Sequence, residues 1–223
     1  MKDPILIVGC ARSGTSMTAG IFNICGAFGG DMYGANAFCQ KGVFENIEIR
    51  LNIVRPHLKK IGCDPSAQKP LPNNRQVFEV SANEAKAFRD RVQLVIQHQG
   101  YRDGEWFYKC PKSCHLWYLW HLAFPEAKWV IVKREHAGIV ASCQKTRFMR
   151  AYKDAVGWQS WVDVHERRFA EMKTAGLDVT EFWPSELIAG NFEPAQKLIE
   201  SFGLTWQEKF CRAFIDPHLY TKV

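Results

Sequence analysis

Residues 5–16 read Ile5-Leu6-Ile7-Val8-Gly9-Cys10-Ala11-Arg12-Ser13-Gly14-Thr15-Ser16, an apolar run entering a loop that contains two glycines. Gly9 and Gly14 have the spacing of a Walker A loop, in which glycines let consecutive backbone N–H groups turn inward around phosphate oxygens at a helix N-terminus. The Walker lysine is missing. Thr15 holds its position, Ser16 follows, and the positive charge has moved back to Arg12. A loop that keeps the anion cradle but lacks the lysine that reaches the β- and γ-phosphates is poorly suited to ATP phosphoryl transfer and suits a shorter anion.

Outward from this loop, strand and helix patterns alternate. Ile5 to Val8 predicts a strand, Thr15 to Cys25 a helix and Gly26 to Gly34 a loop; apolar residues at helical spacing predict a helix from Phe44 to Lys60, interrupted by Pro56. Asp64 to Arg75, with three prolines and two asparagines, reads as an exposed loop. Ser81-Ala82-Asn83-Glu84 is a capping-box pattern that opens a helix reaching His98. Strands follow at Trp106 to Tyr108, Lys128 to Lys133 and Val179 to Trp183. Helices are expected at Ser113 to Ala123, His136 to Lys145, Val156 to Ala175 and Phe192 to Phe202, and from the capping box Thr205-Trp206-Gln207-Glu208 onward. The alternation implies an α/β fold of three layers in one domain over residues 1–223, its mostly parallel central sheet flanked by helices on both faces.

Composition narrows the function classes. With 47% hydrophobic residues in 223, the chain can bury one sizeable core. A formal charge of +6 fits a polyanionic ligand, and with no basic run longer than Lys59-Lys60 or Arg167-Arg168 no nucleic-acid partner is expected. The eight cysteines form no Cys-x-x-Cys pair, and Cys110, Cys114 and His115 lack a second half-site, so free thiols and no metal are expected. The chain opens almost directly on its first strand, and no apolar stretch approaches the roughly 20 residues that span a bilayer. The expectation is a soluble, cytoplasmic chain without a membrane segment.

A second anchor lies in Trp129-Val-Ile-Val-Lys-Arg134, an apolar strand ending in a cation, with Ser142 eight residues on in the following helix. An arginine at the carboxyl end of a parallel strand points into the ligand crevice, and a serine two helical turns later can face the same phosphate.

With both anchors in view, the chain resembles the sulfotransferase superfamily that uses 3′-phosphoadenosine 5′-phosphosulfate (PAPS). Ala11-Arg12-Ser13-Gly14-Thr15-Ser16 resembles that family's 5′-phosphosulfate loop, and Arg134 with Ser142 its 3′-phosphate site. Lys109-Cys110-Pro111 is similar to its Lys-x-Pro element, Phe124-Pro125-Glu126-Ala127-Lys128 to the turn entering the second anchor strand, and Ser185-Glu186-Leu187 with Ile199 to Leu204 to its closing elements. The likeness is strong in residues 5–25 and 106–146, weaker in 41–52 and 183–205, and absent elsewhere; Glu135-His136 departs from the usual Asp-Pro.

The resemblance implies sulfonate transfer from PAPS, leaving 3′-phosphoadenosine 5′-phosphate, to a hydroxyl or amine acceptor. It implies that Arg12, Ser13, Gly14, Thr15, Ser16, Arg134 and Ser142 bind the donor and that Lys109 sits beside its bridging oxygen, with Lys112 the competing choice. Lys41-Gly42-Val43-Phe44-Glu45 is similar to a segment of carbohydrate and bacterial members whose glutamate is the base, which favours a carbohydrate acceptor and Glu45 in that role. In a closed, partly apolar cleft such a carboxyl would have its pKa raised toward neutrality. His57, His115 and His121 lie in no matching motif. Trp117, Tyr118, Trp120, Trp158 and Trp161 are expected mostly in the core. A P-loop kinase of small molecules and a non-catalytic nucleotide-binding protein of the same fold are the rival readings.

Overall fold

The computed structural model describes residues 1–37 and 39–220. Four strands, β1 (Ile5–Gly9), β2 (Phe107–Lys109), β3 (Lys128–Val132) and β4 (Val179–Phe182), form one sheet in the order β2-β1-β3-β4, every pair parallel. The helices are α1 (Thr15–Ile24), α2 (Arg55–Lys60), α3 (Asn74–Phe78), α4 (Ala82–His98), α5 (Trp117–Ala123), α6 (His136–Lys145), α7 (Ala155–Thr174), α8 (Ser185–Ile188), α9 (Glu193–Ser201) and α10 (Glu208–Phe214).

Side chains of a strand alternate between faces, and the two faces carry separate cores. Leu6 and Val8 of β1 and Trp129 and Ile131 of β3 pack with α2, α4, α5, α6 and α7. Ile5, Ile7, Val130 and Val132 pack with α1, α8, α9 and α10. The result is the three-layer α/β arrangement expected from the alternation. Because β1 lies between β2 and β3, the chain leaves it toward one side and returns on the other, which opens a crevice at the carboxyl ends of these strands. Among the described residues no helix is long and apolar enough to cross a membrane, and all eight cysteines are free thiols.

Several local expectations need correction. Pro56 does not interrupt its helix: the helix runs from residue 47 with a π-helical stretch at Ile49–Val54 that passes into α2. The carbonyl that the missing Pro56 N–H would serve in an α-helix, Asn52 O, accepts instead from Arg91 Nη2 of α4. Asn46 Oδ1 accepts from Ile49 N, which is N-cap geometry, so Phe44 and Glu45 precede the helix. Segment 64–73 is the expected loop, with Ser66, Lys69, Pro70 and Asn73 exposed, but it is pinned to the core at two points. Ala67 and Pro72 are buried, Trp161 Nε1 donates to Ala67 O at 3.0 Å, Arg168 Nη2 donates to Pro72 O at 2.9 Å, and α3 begins at Asn74 behind an Asn73–Gln76 capping box. The helix expected at Ser113 starts as a 3₁₀ stretch, Pro111–Leu116. Thr205 caps nothing: α10 begins at Glu208, whose carboxylate engages Trp206 and Arg212.

Candidate active site

The loop after β1 is shaped by close contact. A Cβ at Gly9 would lie 2.6 Å from Val132 O of β3, a backbone atom that cannot give way, and 2.8 Å from Ser13 Oγ. Arg12 (φ 74°) and Gly14 (φ 105°) are left-handed, a turn geometry that gathers successive N–H groups into a concave anion site. Gly14 precedes α1, whose first-turn amides have no intrahelical acceptor. Ser13 is fully buried, and its Oγ has no hydrogen-bond partner among the described residues. That hydroxyl stands over Gly9 at the end of β1, closed off from solvent, and Ser13 N donates to Cys10 O at 3.1 Å, so Ser13 shapes the turn.

Arg134, just past β3, reaches back over this loop and donates from Nη1 to Arg12 O at 2.8 Å, while Arg12 Nε donates to Ser142 Oγ at 3.0 Å. The three residues are therefore brought together, with Ser142 buried behind Arg12. Gly138 of α6 makes room for them, since a Cβ there would lie 2.8 Å from Arg134 Nε. Tyr220 covers the guanidinium of Arg134, its ring centroid 4.2 Å away. Neither stands in a motif: Gly138 is revealed by its packing against Arg134 four residues earlier, and Tyr220 only by the spatial approach of a distant segment.

On the other side of the loop, β2 delivers Lys109 and the following 3₁₀ stretch delivers Lys112. Both meet Glu45, at 3.1 Å and 3.5 Å, and Arg50 joins them at 2.9 Å. The backbone of Glu45 is fixed by Tyr33 N, which donates to Glu45 O at 3.0 Å. Lys109 Nζ and Ser16 Oγ both donate to Val43 O, which ties this cluster to the phosphate loop. The expected rise of the Glu45 pKa does not occur. Burial pushes the carboxyl up, but Lys112, Lys109 and Arg50 together outweigh it and hold the group at about 2, so Glu45 is a carboxylate at neutral pH.

Two cavities of about 360 Å³ each open from these groups. The first is walled by the phosphate loop, Lys41, Arg134 and the chain from Phe214 to Tyr220; the second by Glu45, Arg50, Lys109, Lys112, Gln68 and Trp161. They share Arg12, Thr15, Ser16 and Cys39.

The other aromatic and histidine candidates lie elsewhere. Trp117, Trp120 and Trp158 are core residues. His57 stands beside Glu84, 3.8 Å away. His115 and His165 are buried with Nε2 atoms 3.1 Å apart, Cys114 is adjacent, and His165 Nδ1 meets Trp161 O at 2.8 Å. Arg168 adds positive charge nearby, which disfavours any further cation. Burial above all, then Arg168, pulls His165 down to about 4 against the upward effect of its bond to Trp161; burial, His165 and Arg168 lower His115. Both titrate near 6.5 when unfolded, so the unfolded chain binds more protons below that pH. Stability is then full above about pH 6.5 and falls as pH drops toward the folded-state values, by roughly 3 kcal/mol for His165 alone. Denaturant titrations between pH 7.5 and 4.5 should show this slope, weakened in His165→Gln. A pH-independent wild-type midpoint over that range would refute it.

No protein-family model and no curated protein matches this chain. Among solved structures it is similar to the sulfotransferase domain from the Synechococcus PCC 7002 olefin synthase, with a TM-score of 0.59 and 13% identity over 99% of this chain and 87% of that one. It is also similar to the sulfotransferase STF1 from Mycobacterium tuberculosis H37Rv, with a TM-score of 0.48 and 15% identity over 99% of this chain and 72% of that one. The fold is that of the first of these, a sulfotransferase domain.

Proposed function

We propose that this chain, built on the sulfotransferase fold, transfers a sulfonate group from PAPS to a hydroxyl or amine acceptor, with carbohydrate the favoured class. One observation carries the proposal: two cavities of similar size meet at Arg12, Thr15 and Ser16, as donor and acceptor sites joined for in-line transfer require. In the first cavity, Gly14, Thr15 and Ser16 with their backbone amides receive the 5′-phosphosulfate end, held in place by the turn at Ser13, and Arg134, backed by Arg12 and Ser142, receives the 3′-phosphate. In the second, Glu45 accepts the proton of the attacking group, while Arg12 and Lys109 offset charge on the sulfonate oxygens and the departing phosphate. The kinase alternative fits less well, because the residues at and just past the ends of β2 and β3 are Lys109, Lys133 and Arg134 rather than the acids that manage magnesium.

The donor assignment is tested by calorimetry. Adenosine 3′,5′-bisphosphate should bind about tenfold or more tighter than AMP, roughly 1.4 kcal/mol from one charge-assisted phosphate contact. Arg134→Ala should erase the difference. Gly138→Ala should shrink it by displacing the guanidinium, while stabilising α6 by about 0.5–1 kcal/mol through helix propensity. Equal affinity of the wild type for both nucleotides would overturn the 3′-phosphate assignment.

A further inference from the structure

The second cavity holds more positive charge than donor and base require. Arg12, Arg50, Lys109 and Lys112 line it against a single carboxylate, Glu45. Three of these cations sit within 3.5 Å of Glu45, whose charge balances one of them. Under the sulfotransferase reading, Arg12 and Lys109 serve the sulfonate and leaving phosphate, which leaves Lys112 and Arg50 against Glu45. Excess charge in a partly buried site costs solvation unless an anion joins it.

Arg50 is placed to receive that anion. Its side chain is 30% exposed, against 3% for Lys109 and 8% for Lys112, so of the cations around Glu45 it is the open one. Its Nε faces Glu45 at 2.9 Å without hydrogen-bond alignment, and its guanidinium lies 5.1 Å from the centroid of the Tyr33 ring. An arginine fork steadied against an aromatic ring and open to a cavity matches the paired oxygens of a carboxylate or phosphate.

We propose that Arg50 reads an anionic group, carboxylate or phosphate, on the acceptor, so that the acceptor is an acidic hydroxyl or amine compound. The inference rests on the sulfotransferase reading of this cavity. Were Arg50 only an anchor for Glu45, neutral and anionic acceptors would bind alike.

The test uses protein saturated with adenosine 3′,5′-bisphosphate at low ionic strength, titrated calorimetrically with matched ligands: methyl glucoside, glucuronate and glucose 6-phosphate, then benzyl alcohol, 4-(hydroxymethyl)benzoate and 4-(hydroxymethyl)phenyl phosphate. At least one anionic member should bind about tenfold or more tighter than its neutral partner. The carboxylate and phosphate arms show which group is preferred. Arg50→Gln should remove the gain, and Arg50→Lys, which keeps charge without the fork, should restore only part of it. An unchanged urea midpoint and bisphosphate affinity confirm that both variants are folded. Equal affinity within every set, no binding by any anionic member, or a gain that survives Arg50→Gln would each overturn the proposal. Failure of the bisphosphate to bind would bring down the sulfotransferase reading itself, whereas bisphosphate binding without anion preference would bring down this inference alone.

Discussion

Glu45→Gln is expected to lower turnover by about 10²- to 10⁴-fold while leaving bisphosphate affinity nearly unchanged, the signature of a lost proton acceptor. Glutamine keeps the length of the side chain and an oxygen facing Lys109 Nζ, now 3.1 Å from the carboxylate. It cannot take a proton at neutral pH. The pKa of about 2 sharpens the test. A carboxylate so strongly held by Lys112, Lys109 and Arg50 is a poor base in the free protein, and under the proposed mechanism it must gain basicity in the loaded complex, as it would if the donor drew Lys109 away. The acid limb of kcat, which reports the loaded complex, should therefore lie at higher pH than the acid limb of kcat/KM, which reports the free protein. Between pH 5 and 8 kcat/KM should show no limb due to Glu45. Removing the carboxylate that pairs with the buried Lys109 and Lys112 also destabilises, by about 3–5 kcal/mol if the pairs behave as buried ion pairs do. Glu45→Asp serves as the control: it keeps the charge, retracts the oxygen by one methylene and should still lose most turnover. Wild-type turnover in Glu45→Gln would reject Glu45 as the base.

What could be read from the sequence was whatever sits within one local segment. The strand into the phosphate loop, Arg134 at the end of β3 and Lys109 at the end of β2 all follow from apolar runs that stop at a glycine or a cation. Parallel pairing then places their ends together at one edge of the sheet. Features that depend on distant segments were not legible. The electrostatic state of Glu45 turns on Arg50 and Lys112, one of which comes from a helix whose wide turn is sustained by Arg91 of α4. Burial alone pointed the pKa upward; three cations reversed its sign. The wall of the second cavity is only partly legible for the same reason. Proline and asparagine content predicts the loop at 64–73 and its exposed residues, but not the bonds from Trp161 and Arg168 of α7 that hold it to the core, where Ser66 and Gln68 line the second cavity.

Loss of Lys109 should rank next, with Lys109→Ala reducing turnover by about 10²- to 10³-fold, the scale of one lost charge-stabilising donor. The side chain is 3% exposed and donates to both Val43 O and Glu45 Oε1, at 3.0 Å and 3.1 Å. Ser16 Oγ donates to the same Val43 carbonyl, so Lys109 also braces the phosphate loop against the segment that carries Glu45. Alanine therefore removes a charge, a brace and packing volume together. Lys109→Met separates them by filling the space without charge, and Lys109→Arg by keeping charge with altered reach. If transition-state charge is what Lys109 supplies, Met should lose as much turnover as Ala, Arg should recover part of it, and bisphosphate affinity should change less than about tenfold in all three. If the brace is what matters, bisphosphate affinity and thermal midpoint should fall in step with turnover, and Arg should do no better than Met. The charge assignment does not survive a Met variant that turns over at the wild-type rate, because volume would then be all that the lysine contributes.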